Sequence, residues 1–528
     1  VSHPHQKTIS PNPNYKWIVM IIVMIGMIMS TLDSSIVNVS IPSIMADFGS
    51  NVTDIEWVVT AYMLAFAVLM PLTAWLRDRI GHKLLYTFSL ILFTVGSLLC
   101  GLAWNLPSLI AARVIQALGG GAMTPTGMAM IAEVFEPKER GKAMGLFGLG
   151  VIIGPAFGPT LGGFLTVAYG WRSIFLVNLP VGLIAIFIAF EMLISDRPHE
   201  SDKRKFDVWG FIFLSLFLVS FLLGISKGES EGWSSRYVMI CTALSILGLS
   251  SFLVTESMVK DRIMDLSLFK YPVFSISMLI TAIRSVALFG GVFLLPLFLQ
   301  QLKGLSALQS GLILLPGTLM IAFCMPILGW VGDKASPRFL TIIGLILLAY
   351  SMYAYGDISI YMSNWDIIFP TLIRGIGMSL LMAPVMTLAL NSIPRKKAGM
   401  ASSMMAIIQQ VGGAVGIAIL STVLDNRSKF HLSTISSNIS ASSPAFTKTS
   451  HDLYMRAHEL GYSHMNSAVA AKSALIKHIY VAGTSFAFQD AFLFAMVLII
   501  LSMIPTFLLP NKNVIHKEMI PKDVVLVD

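Results

Sequence analysis

The stretch "WIVMIIVMIGMIMSTLDSSIVNVSIP", residues 17–42, holds a single charged residue, Asp33. Crossing the hydrocarbon core of a bilayer takes about 20 mainly apolar residues in helical form. The run meets that length and reads as a transmembrane helix. It is too long for the apolar region of a cleavable signal peptide, so it is expected to stay as an anchor. An acid inside such a helix is expensive and is a functional candidate by default.

The composition agrees. Of 528 residues, 55% are hydrophobic and 12% charged, against about 25% charged in soluble domains. The 41 glycines and 24 prolines are tolerated in membrane helices. Cys100, Cys241 and Cys324 lie in separate apolar runs and form neither a disulfide framework nor a metal-ligand cluster. The formal charge of +8 is scattered over short interhelical segments, which is a topogenic pattern rather than a nucleic-acid patch. No metal, cofactor, nucleic acid or enzymatic activity is expected, and there is no Walker motif for ATP-driven transport.

Fourteen stretches are candidate spans: 17–38, 57–76, 84–104, 106–132, 142–168, 174–194, 207–225, 237–256, 272–299, 308–331, 338–356, 365–390, 399–424 and 487–510. Arg77, Arg79, Lys83, Lys138, Arg140, Lys142, Arg197, Lys203, Arg204, Lys205, Lys260, Arg262, Lys270, Lys334, Arg338, Arg395, Lys396 and Lys397 then fall on the side of the N-terminus. The opposite short loops hold only Arg172, Lys227, Arg236 and Lys303. The positive-inside rule places both termini in the cytoplasm and makes the span count even. The segment 425–486 is the exception, a long external loop whose charges are not topogenic. Its Ser/Thr-rich first half reads as loop, and 451–482 as interfacial helix.

Two echoes relate the halves. "WLRDRIGHK" (75–83) and "GWVGDKASPR" (329–338) both give Trp, then Asp, then bases, on the same side. "RVIQALGGG" (113–121) and "RGIGMS" (374–379) both give Arg followed by small residues. The expected fold is therefore an all-α polytopic membrane protein of two six-helix bundles with two inserted helices. Its parts are a cytoplasmic tail 1–16, a first bundle 17–194, an insert 195–271, a second bundle 272–510 containing the loop 425–486, and a tail 511–528. Repeated bundles around a midplane site are a transporter architecture.

Asp33 lies roughly 12 Å, and Arg113 roughly 10 Å, from the external ends of their helices at 1.5 Å per residue. Two costly charges share a depth, and each needs a partner or a wet cavity. Gln116, three residues beyond Arg113, lies on nearly the same face. Arg284 is roughly 18 Å into its span from the cytoplasmic end, too deep to snorkel. It faces the central cavity or pairs with another helix, and the first option favours anionic or zwitterionic cargo. Arg374 echoes Arg113 with no acid near it in sequence.

"GLGVIIGPAFGPTLGG" (148–163) puts Gly154, Gly158 and Gly162 four apart, with Gly163, Pro155 and Pro159 among them. Glycines at that spacing allow close backbone approach, and the prolines can bend the helix. The span of Gly412, Gly413 and Gly416 repeats the device, preceded by Gln409 and Gln410 as candidate cavity residues. Arg77, Asp78, Arg79 and Lys83, with Asp333 in the second half, are candidates for a cytoplasmic gate.

These residues resemble the major facilitator superfamily, and within it the fourteen-span drug:proton antiporters that include EmrB and QacA. "LDSSIVNVSIP" (32–42) is similar to that group's first-helix motif. Asp78, Arg79, Gly81 and Lys83 match the cytoplasmic signature, which departs at Ala74, where Gly is usual. "RVIQALGGG" matches the fourth-helix Arg motif and "GPAFGPTLGG" (154–163) the antiporter motif, while "WRSIFLVNLPVG" (171–182) is typical of the group. The long loop before the last span is EmrB-like.

The resemblance implies that Asp33 and Arg113 serve proton coupling. It implies proton-coupled export of hydrophobic or amphipathic drugs across the bacterial inner membrane by alternating access. It also implies a periplasmic adaptor and an outer-membrane channel as partners. An exporter of a lipid, siderophore or anionic metabolite is the alternative on the same fold. A channel or a non-transporting receptor is the alternative outside it.

Overall fold

The computed structural model describes residues 14–50, 52–195, 206–259, 262–394, 397–438, 444–461 and 463–511. Most of both tails, and Arg197, Lys203, Arg204, Lys205, Lys260, Arg395 and Lys396, lie outside these residues. So do the side chains of Pro155, Pro159, Asp333 and Lys334. Among the described residues every regular element is helical.

The first bundle contains α1 (Tyr15–Phe48), α2 (Val52–Ile55), α3 (Trp57–Leu69), α4 (Leu72–Ile80), α5 (His82–Gly101), α6 (Leu106–Val134), α7 (Arg140–Tyr169), α8 (Ser173–Leu176) and α9 (Asn178–Met192). α10 (Val208–Glu231) and α11 (Arg236–Met258) pair with each other. The second bundle contains α12 (Pro272–Leu297), α13 (Ala307–Lys334), α14 (Pro337–Tyr355), α15 (Asn364–Asn391), α16 (Ala398–Asn438), α17 (Pro444–Glu459) and α18 (His464–Thr506). A π-helical turn, Phe298–Leu302, follows α12.

Local chemistry sets the helix starts. Asn105 with Ser108, Ser306 with Gln309 and Ser363 with Asp366 form reciprocal caps on α6, α13 and α15, which satisfy backbone donors that the first turn leaves free. Between α3 and α4 the chain bends by 55° at Pro71, whose ring removes a backbone donor.

Eleven described helices are long and apolar enough to cross a bilayer, or twelve with the bent pair α3 and α4 taken as one span. α7 and α12, at 30 and 26 residues, are the two further helices that the expected fourteen would require.

Glycines set how closely the helices approach. A Cβ on Gly154 or Gly158 would run into Thr31 or Ser35 of α1, and one on Gly162 would lie 2.9 Å from Ile36 O. Hydroxyls lock this contact: Thr31 Oγ1 donates to Gly150 O (2.9 Å) and Ser35 Oγ to Gly154 O (2.8 Å). α7 runs unbroken through the motif. Lipid offers helices no hydrophobic reason to associate, so such close packing carries the assembly.

The first half of the segment 425–486 differs from expectation, while the helical reading of 451–482 agrees with α17 and α18. The segment is mostly helix: α16 continues to Asn438, α17 covers 444–459, and α18 starts at His464. Two causes are visible. The hydroxyls of Ser433, Thr434 and Ser437 bond carbonyls three or four residues back, so they do not compete with the helix. α16 and α18 also pair at the edge of the last span, where Asp490 takes Arg427 (2.5 Å) and His431 (2.7 Å).

Candidate functional site

Asp33 is fully buried and Arg113 is 1% exposed. Arg113 Nη1 donates to Asp33 Oδ2 (2.5 Å) and to Gln116 Oε1 (2.6 Å). Gln116 Nε2 donates to Asp33 Oδ1 and to Ser97 Oγ, each at 2.7 Å. Asn178 Nδ2 reaches Asp33 Oδ1 (3.3 Å) and Ser97 Oγ (3.4 Å). The guanidinium also donates to Val58 O (3.3 Å), and its carbon lies 4.0 Å from the Tyr62 ring centroid. α6 and α9 thus reach the carboxylate that α1 carries, while α3 holds Arg113 and α5 holds Gln116 and Asn178, so five helices share one cluster. Charge-assisted bonds of this kind are about twice as strong as neutral ones, and removing one partner strands the other.

The shared depth and Gln116 were legible in the sequence. Ser97, Asn178 and Tyr62 were missed as site residues. Asn178 had a signal, because it is the one amide in "WRSIFLVNLPVG". Asn38, which faces away from Asp33 by helical spacing, is exposed.

α7 and α13 pack closely toward both ends, with Gly311 against Thr160 at one and Gly145 against Met325 toward the other, and the hydrogen bonds between bundles lie at the end that carries the basic loops. Thr73 and Ser403 share a hydrogen bond (2.9 Å). Buried Arg140 donates through Nη1 to Asn391 Oδ1 (2.6 Å), and Asn391 Nδ2 to Pro137 O (3.3 Å). A Cβ on Gly329 would lie 2.5 Å from Gly141 O, and one on Gly145 2.6 Å from Met325 O.

The candidate gate cluster divides. Arg77 pairs with its neighbour Asp78 and presses its guanidinium onto Gly399 of α16. Arg79 lies over the Trp75 ring (5.4 Å) and Lys83 over Phe190 (5.5 Å). Of these four, Arg77 reaches across to the second bundle. Arg140 and Asn391, which sequence reasoning did not place in the gate, carry another cross-bundle contact.

Outside the membrane, Lys397 Nζ donates to Asp265 Oδ2 (2.6 Å) and Ser267 Oγ (2.8 Å). Burial pushes the Asp265 carboxyl up, but the bonds from Lys397 and Ser267 outweigh it and hold the group below its ordinary range. A depressed folded-state value means that this tether contributes at neutral pH and is lost as pH falls through that value. Limited proteolysis at Arg262 is therefore expected to accelerate in acid, and Lys397→Ala to remove that acceleration.

At the other end the insert spans both bundles. Lys227 of α10 pairs with Glu56 at the start of α3, and Trp233 Nε1 donates to Thr422 Oγ1 of α16 (3.1 Å). Gln409 and Gln410 are half-buried on α16. Arg284 is 3% exposed and its Nε has no hydrogen-bond partner among the described residues; Arg374 Nη1 is likewise buried without one among them.

The sequence model of the Major Facilitator Superfamily matches residues 23–417. The uncharacterized MFS-type transporter YhcA of Bacillus subtilis is 37% identical, with 92% of each chain covered. The multidrug resistance protein B homolog of Mycobacterium tuberculosis is 33% identical over 93% of this chain and 89% of its own. The multidrug export protein EmrB of Haemophilus influenzae is 29% identical over 87% and 89%. Among solved structures, a double-tryptophan mutant of XylE superposes with a TM-score of 0.61 at 14% identity, covering 96% and 98%. The chain belongs to the Major Facilitator Superfamily and is a multi-pass membrane transporter.

Proposed function

We propose that the protein exports hydrophobic or amphipathic compounds from a bacterial cell in exchange for protons, with the basic end of the bundles cytoplasmic. The buried Asp33–Arg113–Gln116 cluster carries this reading. Arg113 keeps its charge at any accessible pH, so Asp33 is the member that can exchange a proton. Protonation removes the charge that Arg113 holds, and proton arrival and loosening of the cluster become one event. Relatives named as multidrug resistance and export proteins support drugs as cargo. An adaptor and an outer-membrane channel would meet the helices that α16 and α18 extend beyond the membrane.

Alternating access needs a cytoplasmic closure that opens. Here the closure is Arg140–Asn391 and Thr73–Ser403, with Arg77 against Gly399; Arg79, Lys83 and Asp333 would shape its charge. The face of Gly154, Gly158 and Gly162 on α7 would let α1 pivot, with Pro155 and Pro159 as the points of bending. A hydrogen bond to a charged group is worth about 1.5–3 kcal/mol. Asn391→Ala is therefore expected to shift the population toward the open cytoplasmic face by about tenfold or more. Distances between spin labels across the basic end would read that shift.

The reading itself is tested in proteoliposomes with an acidic lumen and the cytoplasmic face outward. Dye accumulation that collapses when the pH gradient is dissipated is expected. Accumulation that ignores the gradient overturns antiport.

A further inference from the structure

The two bundles can be placed in register by their glycine contacts. In the first, Gly154 of α7 abuts Thr31 and Gly158 abuts Ser35, so Asp33 sits midway between them. In the second, a Cβ on Gly412 of α16 would meet Ala282 O at 3.0 Å, and one on Gly416 would meet Val286 Cα at 2.6 Å. Midway between Ala282 and Val286 sits Arg284.

The same test pairs the arginines. A Cβ on Gly96 of α5 would lie 2.5 Å from the Cα of Gln116, three residues after Arg113. A Cβ on Gly344 of α14 would lie 2.8 Å from the carbonyl of Gly377, three residues after Arg374. The second bundle thus carries Arg284 and Arg374 where the first carries Asp33 and Arg113. An acid–base pair has become two bases.

Their surroundings do not neutralise them. α12 packs against α15, and both arginines fall in the middle third of their helices. Arg284 is 3% exposed with an orphaned Nε, and Arg374 has an orphaned Nη1. Neither makes an ion pair or a hydrogen bond with a described residue. One turn before Arg374, Thr371 Oγ1 shares a hydrogen bond with Tyr355 (2.5 Å), which adds hydroxyls beside the guanidinium. An unpaired guanidinium in the membrane interior is costly. Its forked donors match a carboxylate, sulfonate or phosphate.

We propose that Arg284 and Arg374 form an anion site in the second bundle that takes the acidic head of an amphipathic compound. As a cargo site this rests on the export reading above. The first bundle then holds the proton and the second the charged head of the cargo, on mirrored positions of one repeat.

The test uses the full-length protein in zwitterionic phosphatidylcholine proteoliposomes. The probes are 2-naphthoate and its neutral twin 2-naphthamide, with binding measured by equilibrium dialysis. The acid is expected to bind at least about tenfold tighter than the amide, as charge-assisted bonds require. Arg284→Gln and Arg374→Gln are each expected to erase that preference, and a monodisperse elution profile with retained, measurable amide binding shows that the variants fold. Arg284→Lys should keep part of it.

Equal binding of acid and amide by the wild type overturns the proposal. So does a preference that neither substitution moves. Phosphatidylglycerol that displaces naphthoate identifies the occupant as a lipid phosphate; indifference to it identifies a solute. Both sources keep the anion site. Gradient-driven dye uptake in the same vesicles separates the two readings. An anion preference without such uptake sinks export alone, and uptake without the preference sinks the anion site alone.

Discussion

In Asp33→Asn, pH-gradient-driven uptake is expected to fall to the rate seen with no gradient, while the protein still folds and binds dye. The amide keeps the shape of the carboxylate and one acceptor oxygen for Arg113. Its other end is a donor, and it would face the Nε2 of Gln116 and the Nδ2 of Asn178, which now donate to Asp33 Oδ1. That mismatch costs about 1–3 kcal/mol, which a protein of this size can absorb. What it cannot replace is a group that gains and loses a proton. Uptake in Asp33→Asn equal to wild type would remove Asp33 from coupling. Arg113→Gln should fail differently. It leaves the carboxylate buried without its countercharge, at a cost of about 3–5 kcal/mol, so loss of folded protein is expected along with loss of transport.

The second large effect falls on packing. In Gly158→Val the new Cβ would overlap Ser35 Oγ, lie 2.8 Å from Ser35 Cβ and lie 3.2 Å from Ile36 N. Neither α1 nor α7 can give way, because Thr31 and Ser35 pin them together through backbone carbonyls. Overpacking costs about 1–3 kcal/mol where a core can adjust, and here the obstacle includes backbone, so a loss at or above that range is expected. Gly163→Ala is the control. Its nearest neighbour, Val39 Cγ1, is 3.9 Å away, and a change within about 0.5 kcal/mol is expected. Melting of the detergent-purified variants, followed by size-exclusion chromatography, separates the two. Equal melting would mean that the glycine face does not hold α1.

How far the sequence was legible depends on what each residue's position encodes. Depth is encoded, because a helix advances by a fixed rise per residue. That is why Asp33 and Arg113 could be set at one level before their contact was seen. Azimuth between helices is not encoded, so Asn178 and Tyr62 entered only with the structure. Glycine spacing announced close packing at Gly154 and Gly158, and the partner turned out to be α1. The equivalence of Arg284 with Asp33 was hidden, because it needs the register of Gly412 and Gly416 on α12. Arg140 was legible only as a topogenic base and Asn391 carried no signal, because their contact depends on how the bundles meet. In 425–486 the helical character of 451–482 was legible, while the extension of α16 to Asn438 was hidden by Ser433, Thr434 and Ser437, whose hydroxyls bond to their own helix.

Coupling through Asp33 requires that this carboxyl exchange a proton as cargo binds. The most direct measurement adds dye to purified protein in weakly buffered detergent and follows a pH indicator. Wild type is expected to release protons on dye binding, and Asp33→Asn to bind dye and release none. Equal proton release by both proteins would contradict coupling through Asp33.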